Sequence, residues 1–247
     1  RFARQNGILD EAGRMNQAAL PEGPVVPHTV FSLIQSRLDR LSDETRRVLN
    51  AAVAQGREFE FPVVARASGL SEAAALDALD ELQAAGLIEP REGNWFRFDH
   101  PLTMEVAYQE TGELRHRRMH RRVAEALEQL HLDRLDEVAG RLAWHFFEGD
   151  APERGARYAL QAAANAARLA AWDETIELYE LARRGLSGAA RLPALVGLGQ
   201  AQLSAGHFAR ASEVFREALA AAVGAPPIQV DQIRLALARA MLPQARF

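Results

Sequence analysis

A histidine followed by a proline in "WFRFDHPLTMEVAYQ", residues 95–109, combines residue types that suit anion binding. Proline favours the first position of a helix and keeps the residue before it extended, so we expect His100 to be the N-cap of a helix that begins at Pro101. Free N–H groups at that helix start, together with the imidazole and the Thr103 hydroxyl, would suit a phosphate or carboxylate. The alternative is that His100 only completes the turn and packs against Phe98.

An arginine cluster in "ELRHRRMHRR" is the second candidate for binding phosphates or an acidic partner. Alternatively it is a solvated helix face paired with carboxylates such as Glu113 and Glu125. His116 and His120 have the i, i+4 spacing of zinc ligands, but no HExxH glutamate or cysteine completes a set, so we predict no metal site. The candidate arginines are Arg115, Arg117, Arg118, Arg121 and Arg122.

The composition excludes several enzyme classes. All 29 basic residues are arginine, and cysteine is absent, so a P-loop lysine, a Schiff-base lysine and a cysteine nucleophile are all missing from the 247 residues. No GxSxG elbow supports a hydrolase triad. We therefore expect no catalytic residue, no cofactor bound by this chain alone, no membrane partner and a cytoplasmic location.

The segments around His100 predict a winged helix at residues 27–111. An apolar stripe at helical spacing covers residues 30–41, and Ser42 and Ser71 are N-caps of two further helices, with a short apolar helix in "FPVVARA" between them. "LIEPREGNWFRF" alternates around Gly93 and Asn94, which indicates a hairpin.

The last helix before this hairpin is the one that a winged helix would place in a DNA groove, and its charge disfavours that use. It would bring four carboxylates towards phosphates and no basic side chain. Direct nucleic-acid binding by this region is therefore not expected. The four are Glu72, Asp77, Asp80 and Glu81.

From residue 112 to residue 247 the chain is alanine-rich, and we predict that it is helical. "GHFARASEVFREALA" overlays "AAWDETIELYELARR" at an offset of 36 residues, close to the ~34-residue period of tetratricopeptide repeats, in which small residues and an aromatic fill the space between two helices. An irregular helical bundle is the alternative. The predicted packing residues are Trp172, Tyr179, Ala182, Gly199, Phe208, Ala211, Phe215 and Ala218.

Four segments resemble the region that follows the ATPase module in STAND-type signalling ATPases, which include large LuxR-type transcriptional regulators: "VPHTVFSLIQSRLDRLSDETRRVLNAAVAQGREF", "FRFDHPLTMEVAYQ", "RRMHRRVAEALE" and "LAWHFFEGD". The resemblance covers residues 25–185. It implies a mainly α fold, with a winged-helix module carrying a small β-hairpin followed by a superhelical tetratricopeptide-like array. It also implies that residues 1–26 are the tail of the ATPase helical region and a linker, so that the chain is a piece of a longer protein.

The resemblance also implies a regulatory, non-catalytic function. ADP or ATP with Mg²⁺ would bind the upstream ATPase domain, the winged helix would contact that domain, and the repeat arm would bind a protein or peptide. "DHPL" is similar to the Met-His-Asp motif whose histidine contacts ADP phosphates in related proteins, although Asp99 and Pro101 replace the flanking Met and Asp. The alternatives are a DNA-binding winged-helix regulator and a plain repeat scaffold.

Overall fold

The computed structural model describes residues 28–242, and the predicted tail and linker at residues 1–26 lie outside them. The described chain is mainly α-helical with one small antiparallel sheet, which confirms the predicted fold class. It divides into two compact units. The first comprises residues 28–133 with Glu148–Asp150, and the second comprises Arg134–Phe147 with residues 151–242.

The N-terminal unit has the order of elements of a winged helix, flanked by further helices. Its elements are α1 His28–Asp39, α2 Asp43–Gln55, β1 Glu58–Glu60, α3 Phe61–Ser68, α4 Glu72–Ala84, β2 Ile88–Pro90, β3 Trp95–Phe98, α5 Pro101–Glu110 and α6 Glu113–Leu130. Within this series, α2–β1–α3–α4–β2–β3 is the winged-helix order.

The sheet contains the predicted hairpin and one strand that the sequence did not reveal. β2 and β3 pair antiparallel with Ile88 opposite Phe98, and Gly93 in the turn has a φ of 66°. β1 pairs with the other edge of β3, with Phe59 opposite Phe96. The sequence analysis predicted the hairpin but not β1, because "EFE" is too short for an apolar alternation to be recognised.

The core of this unit lies between α2, α3, α4 and the sheet. Phe59, Val64, Leu82 and Phe98 are buried there, and burial of each such side chain contributes about 1.5–3 kcal/mol. α6 packs against both α2 and α3 through a face that includes Val123. The compact unit therefore continues beyond residue 111 and includes α6, which the sequence assigned to the repeat region.

The carboxylate of Glu81, on α4, caps the start of α2. Glu81 accepts hydrogen bonds from the Ser42 backbone N (3.0 Å), the Ser42 hydroxyl (2.8 Å) and the Thr45 hydroxyl. These bonds, that from Thr45 first, lower the pKa of Glu81. Ser42 also caps α2 itself by accepting from the Thr45 N, as its position in the sequence predicts. α2 and α4 are therefore joined by an ionised acceptor as well as by apolar contact.

The second unit is a series of helix pairs. The helices are α7 Leu135–Glu148, α8 Pro152–Arg168, α9 Trp172–Gly185, α10 Leu192–Ser204, α11 Phe208–Ala221 and α12 Pro227–Met241. Two short 3₁₀ helices, Leu132–Arg134 and Gly188–Arg191, precede α7 and α10 respectively. Each helix from α8 to α12 packs against its neighbour in sequence.

Positions without a side chain let these helices approach closely. A Cβ at Gly199 of α10 would lie 2.6 Å from the Phe215 ring of α11, and a Cβ at Gly185 of α9 would overlap the Pro152 carbonyl oxygen at the start of α8. The second contact shows that α8 and α9 run antiparallel. Phe215 is fully buried, as a tetratricopeptide aromatic would be. None of the described helices is both long and apolar enough to span a membrane.

Replacing Glu81 with Gln should lower the free energy of unfolding by about 1–3 kcal/mol, because three donors would lose an ionised acceptor. Urea denaturation monitored by circular dichroism measures this. Asp80→Asn, next to it on α4 but exposed, is the control and should change stability by less than about 0.5 kcal/mol. Equal effects of the two substitutions would contradict the capping role.

Replacing Gly199 with Ala should destabilise the repeat unit by about 1–3 kcal/mol, because the added Cβ meets the Phe215 ring. The matched control is Gly140→Ala in α7, where an added Cβ meets no atom within 4 Å. That change should stabilise the protein by about 0.5–1 kcal/mol, because alanine favours the helix. Thermal unfolding compares the two variants, and stabilisation by both would refute the close α10–α11 contact.

Candidate functional site

His100 is the N-cap of α5, which confirms the prediction made from the proline that follows it. Its backbone is extended (φ −139°, ψ 143°), and its Nδ1 accepts a hydrogen bond from the Leu102 N at 3.1 Å. Because Nδ1 is an acceptor, the neutral ring carries its proton on Nε2. The side chain is exposed. His100 therefore presents a single oriented N–H donor to solvent.

Thr103 does not join His100 at the surface. It is buried, and its hydroxyl donates to Asp99 Oδ1 at 2.7 Å. The Thr103 N donates to the His100 carbonyl oxygen at 3.0 Å. With the Leu102 N also bonded, the predicted backbone donors and the Thr103 hydroxyl all have internal partners. An anion at this helix start would contact His100 Nε2 first.

The five arginines of α6 are all exposed, but they do not form one uniform set. Arg117 pairs with Glu113 one turn earlier, as the solvated-face alternative predicts. Within residues 31–242 the other four form no ion pair. Arg122 differs again, because its guanidinium lies against Gly69 at the end of α3.

His116 and His120 face the interior of the N-terminal unit. The His116 ring stacks on the Tyr108 ring with centroids 3.8 Å apart, and its Nε2 is buried and has no hydrogen-bond partner among the described residues. Burial, and then the neighbouring His116, lower the pKa of His120 to about 4. Burial also lowers the pKa of His116. Both rings are therefore neutral core residues near pH 7.

Other acidic and basic groups lie around this histidine pair. Burial raises the pKa of Glu148, and the nearby Arg117 opposes that shift. Burial, Glu148 and Glu113 raise the pKa of Tyr108. Groups of three or more histidine, aspartate or glutamate side chains that could hold a metal ion do not occur within the described part of the chain.

The predicted repeat-packing residues fall into two groups. Tyr179 is half-buried and lies over Gly197 of α10, so it contacts the next helix pair rather than only its own. Trp172 and Phe208, at the starts of α9 and α11, are also half-buried. The buried group comprises Ala182, Gly199, Ala211, Phe215 and Ala218.

An ion-pair network in the repeat unit escaped the sequence analysis. Glu217 of α11 accepts from Arg183 of α9 at 2.8 Å and from Arg191 at 2.9 Å. The three residues span 34 positions at most, so no local spacing reveals them.

The depressed pKa of His120 predicts acid sensitivity. The unfolded chain protonates this ring near its ordinary value of 6.5, whereas the folded chain does so only near pH 4. Between these values the unfolded state binds more protons, so stability should fall as pH decreases from 6.5 to 4, by up to about 3 kcal/mol. His120→Gln should flatten this dependence in urea titrations across that range. His207→Gln, at an exposed histidine, should retain it, and an unchanged slope in His120→Gln would contradict the assignment.

No protein-family model matches this chain, and no curated protein or solved structure is detectably similar to it.

Proposed function

We propose that this chain is a non-catalytic regulatory region of a STAND-type ATPase or LuxR-type transcriptional regulator. Its winged helix would contact the nucleotide domain of the same protein and sense ADP, and its repeat arm would bind a protein or peptide partner. The observation that carries the proposal is the oriented, exposed Nε2–H of His100 at the start of α5.

The orientation of His100 suits a sensing role. The hydrogen bond from the Leu102 N to Nδ1 holds the imidazole ring in one orientation. Binding of a phosphate would therefore cost little additional conformational entropy of this side chain. One hydrogen bond to a charged phosphate contributes about 1.5–3 kcal/mol, which corresponds to roughly a tenfold to hundredfold change in ADP retention. An interaction of this size would bias a two-state switch without making ADP irreplaceable.

The charge of α4 favours an intramolecular use of the winged helix over DNA reading. Three carboxylates of α4 are exposed, those of Glu72, Asp77 and Asp80. The fourth, Glu81, accepts hydrogen bonds from the start of α2. Three exposed carboxylates would repel a phosphate backbone. The same face is compatible with a basic protein surface, such as that of an adjoining domain.

The repeat unit supports the second half of the proposal. Its helix pairs bury small residues and Phe215 internally, while the outer faces of α8 and α10 remain polar or weakly apolar, with Arg157 and Gln200 exposed. Repeat arrays of this kind bind partners on extended helical faces. Partner binding would favour whichever of the two states of the switch exposes that surface.

In the protein that includes the upstream nucleotide domain, His100→Asn should accelerate ADP release about tenfold, because the imidazole donor is lost. Asparagine is itself a favourable N-cap, so the α5 start should remain intact. Release of a fluorescent ADP analogue in stopped-flow experiments measures the rate, and circular dichroism measures the fold.

His207→Ala is the matched control, since His207 is also an exposed residue at a helix start. It should leave ADP release unchanged. Unaltered ADP release in His100→Asn would refute the sensing role, and an upstream sequence without GxxxxGK[ST] would favour the scaffold alternative. Sustained hydrolysis of nucleoside triphosphates by residues 1–247 alone would refute the non-catalytic assignment.

A further inference from the structure

Two guanidinium groups meet at the C-terminal end of α3. The Nη2 atom of Arg47, from α2, donates to the carbonyl oxygens of Ser68 (2.8 Å) and Gly69 (3.3 Å). The Nη2 atom of Arg122, from α6, lies closer than Arg47 Nη2 to the position that a Cβ on Gly69 would occupy. Two cations from separate helices therefore converge on one turn.

Gly69 makes this convergence possible. Its φ is +71°, a left-handed conformation that favours glycine at the end of a helix. A Cβ there would overlap the Arg122 guanidinium and lie 3.4 Å from Arg47 Nη2. The missing side chain thus leaves the space that Arg122 occupies, and both guanidinium groups lie at the same exposed turn.

The positive charge at this turn is only partly compensated. The C-terminus of a helix carries about −0.5 of an elementary charge, against two full positive charges. Neither arginine forms an ion pair with any carboxylate in residues 31–242, including Glu72 three positions after Gly69. About +1.5 charges therefore remain without a counter-charge from the protein.

We propose that Arg47 and Arg122 form a binding site for a phosphate group. Guanidinium groups pair with phosphate through two parallel N–H donors, and two of them can share one tetrahedral anion. Arg47 retains its Nε and Nη1 for a ligand, since only its Nη2 donates to the α3 carbonyls in the described chain. Arg118, one turn before Arg122 on α6 and also exposed, adds charge beside the site.

The ligand is a multiply charged phosphate, either free or attached to a nucleoside. A dianionic or more highly charged phosphate balances the excess charge, whereas chloride offers neither the charge nor the several acceptors. This site uses neither His100 nor the repeat unit, so it stands or falls independently of the proposed function.

Inorganic pyrophosphate is the direct probe, measured by isothermal titration calorimetry on the 247-residue chain at constant ionic strength set with sodium chloride. We expect one site per chain. Arg122→Gln should weaken binding about tenfold or more, because a charge-assisted pair is lost. Arg122→Lys should weaken it less, because the charge remains while the planar fork is lost.

Arg210→Gln removes the same charge from an exposed position on α11 and should leave the affinity unchanged. Arg47→Gln should also weaken binding, and circular dichroism establishes that the variant remains folded without the Arg47 bonds to the α3 carbonyls. ADP distinguishes the two sources of phosphate. Equal affinity for ADP and pyrophosphate assigns recognition to the phosphates alone, and tighter binding of ADP adds a nucleoside contact at the same site.

Absence of pyrophosphate binding would overturn the inference, as would an unchanged affinity in Arg122→Gln. If binding were lost in His100→Asn and retained in Arg122→Gln, the phosphate would bind at the start of α5, and the Arg47–Arg122 site would be refuted while the sensing proposal gained support.

Discussion

Backbone groups at helix ends have no partner within their own helix, and the N-terminal unit is organised by the side chains that satisfy them. Ser42 and Glu81 satisfy the start of α2, His100 satisfies the start of α5, and Arg47 satisfies the end of α3. Two of these connections join different helices. The hydrogen bonds that satisfy these helix ends therefore help to fix how α2, α3 and α4 lie relative to one another. Burial of apolar side chains alone would allow more arrangements of the three helices.

The same constraint determines which groups remain for function. At the start of α5 the Leu102 N and the Thr103 N donate to groups within the chain, so the proposed contact with an anion would be made by the imidazole and not by the backbone. At the end of α3 the two positive charges of Arg47 and Arg122 exceed the partial negative charge of the helix C-terminus. The start of α5, where the imidazole faces solvent, and the end of α3, where positive charge is in surplus, are therefore the two places in the described N-terminal unit at which we propose that an anion binds.

Local features of the sequence predicted most of the elements and the caps. Pro101 placed His100, and Ser42 and Ser71 marked helix starts, because each of these effects acts within three residues. Gly199 was found because Leu198-Gly199 stands where helix A of a tetratricopeptide repeat has its Leu-Gly pair, and Phe215 was found because the 36-residue offset pairs it with Tyr179. The prediction that the Thr103 hydroxyl lies at the surface was wrong. Thr103 is buried and bonded to Asp99, and this orientation depends on how α5 packs.

What sequence could not supply are the contacts between distant residues. Glu81 and Ser42 are 39 positions apart, and Arg122 reaches Gly69 only because α6 packs on α3. Glu81 was counted with the exposed acids of α4, yet its carboxylate is a cap. β1 was missed because its pairing with β3 stabilises three residues that have no strand pattern of their own.

The distribution of charge within the N-terminal unit follows from these assignments and limits its partners. α4 presents Glu72, Asp77 and Asp80, whereas the α3 end and α6 present Arg118 and Arg122. At physiological ionic strength charges interact over only about 8 Å, so the net charge of the whole chain does not decide what binds at either face. A phosphate is attracted at the arginine face and repelled at α4. In a DNA-reading winged helix, α4 would be the helix that contacts phosphates. Here α4 is acidic, and the basic face that would attract an anion is formed instead by the α3 end and α6.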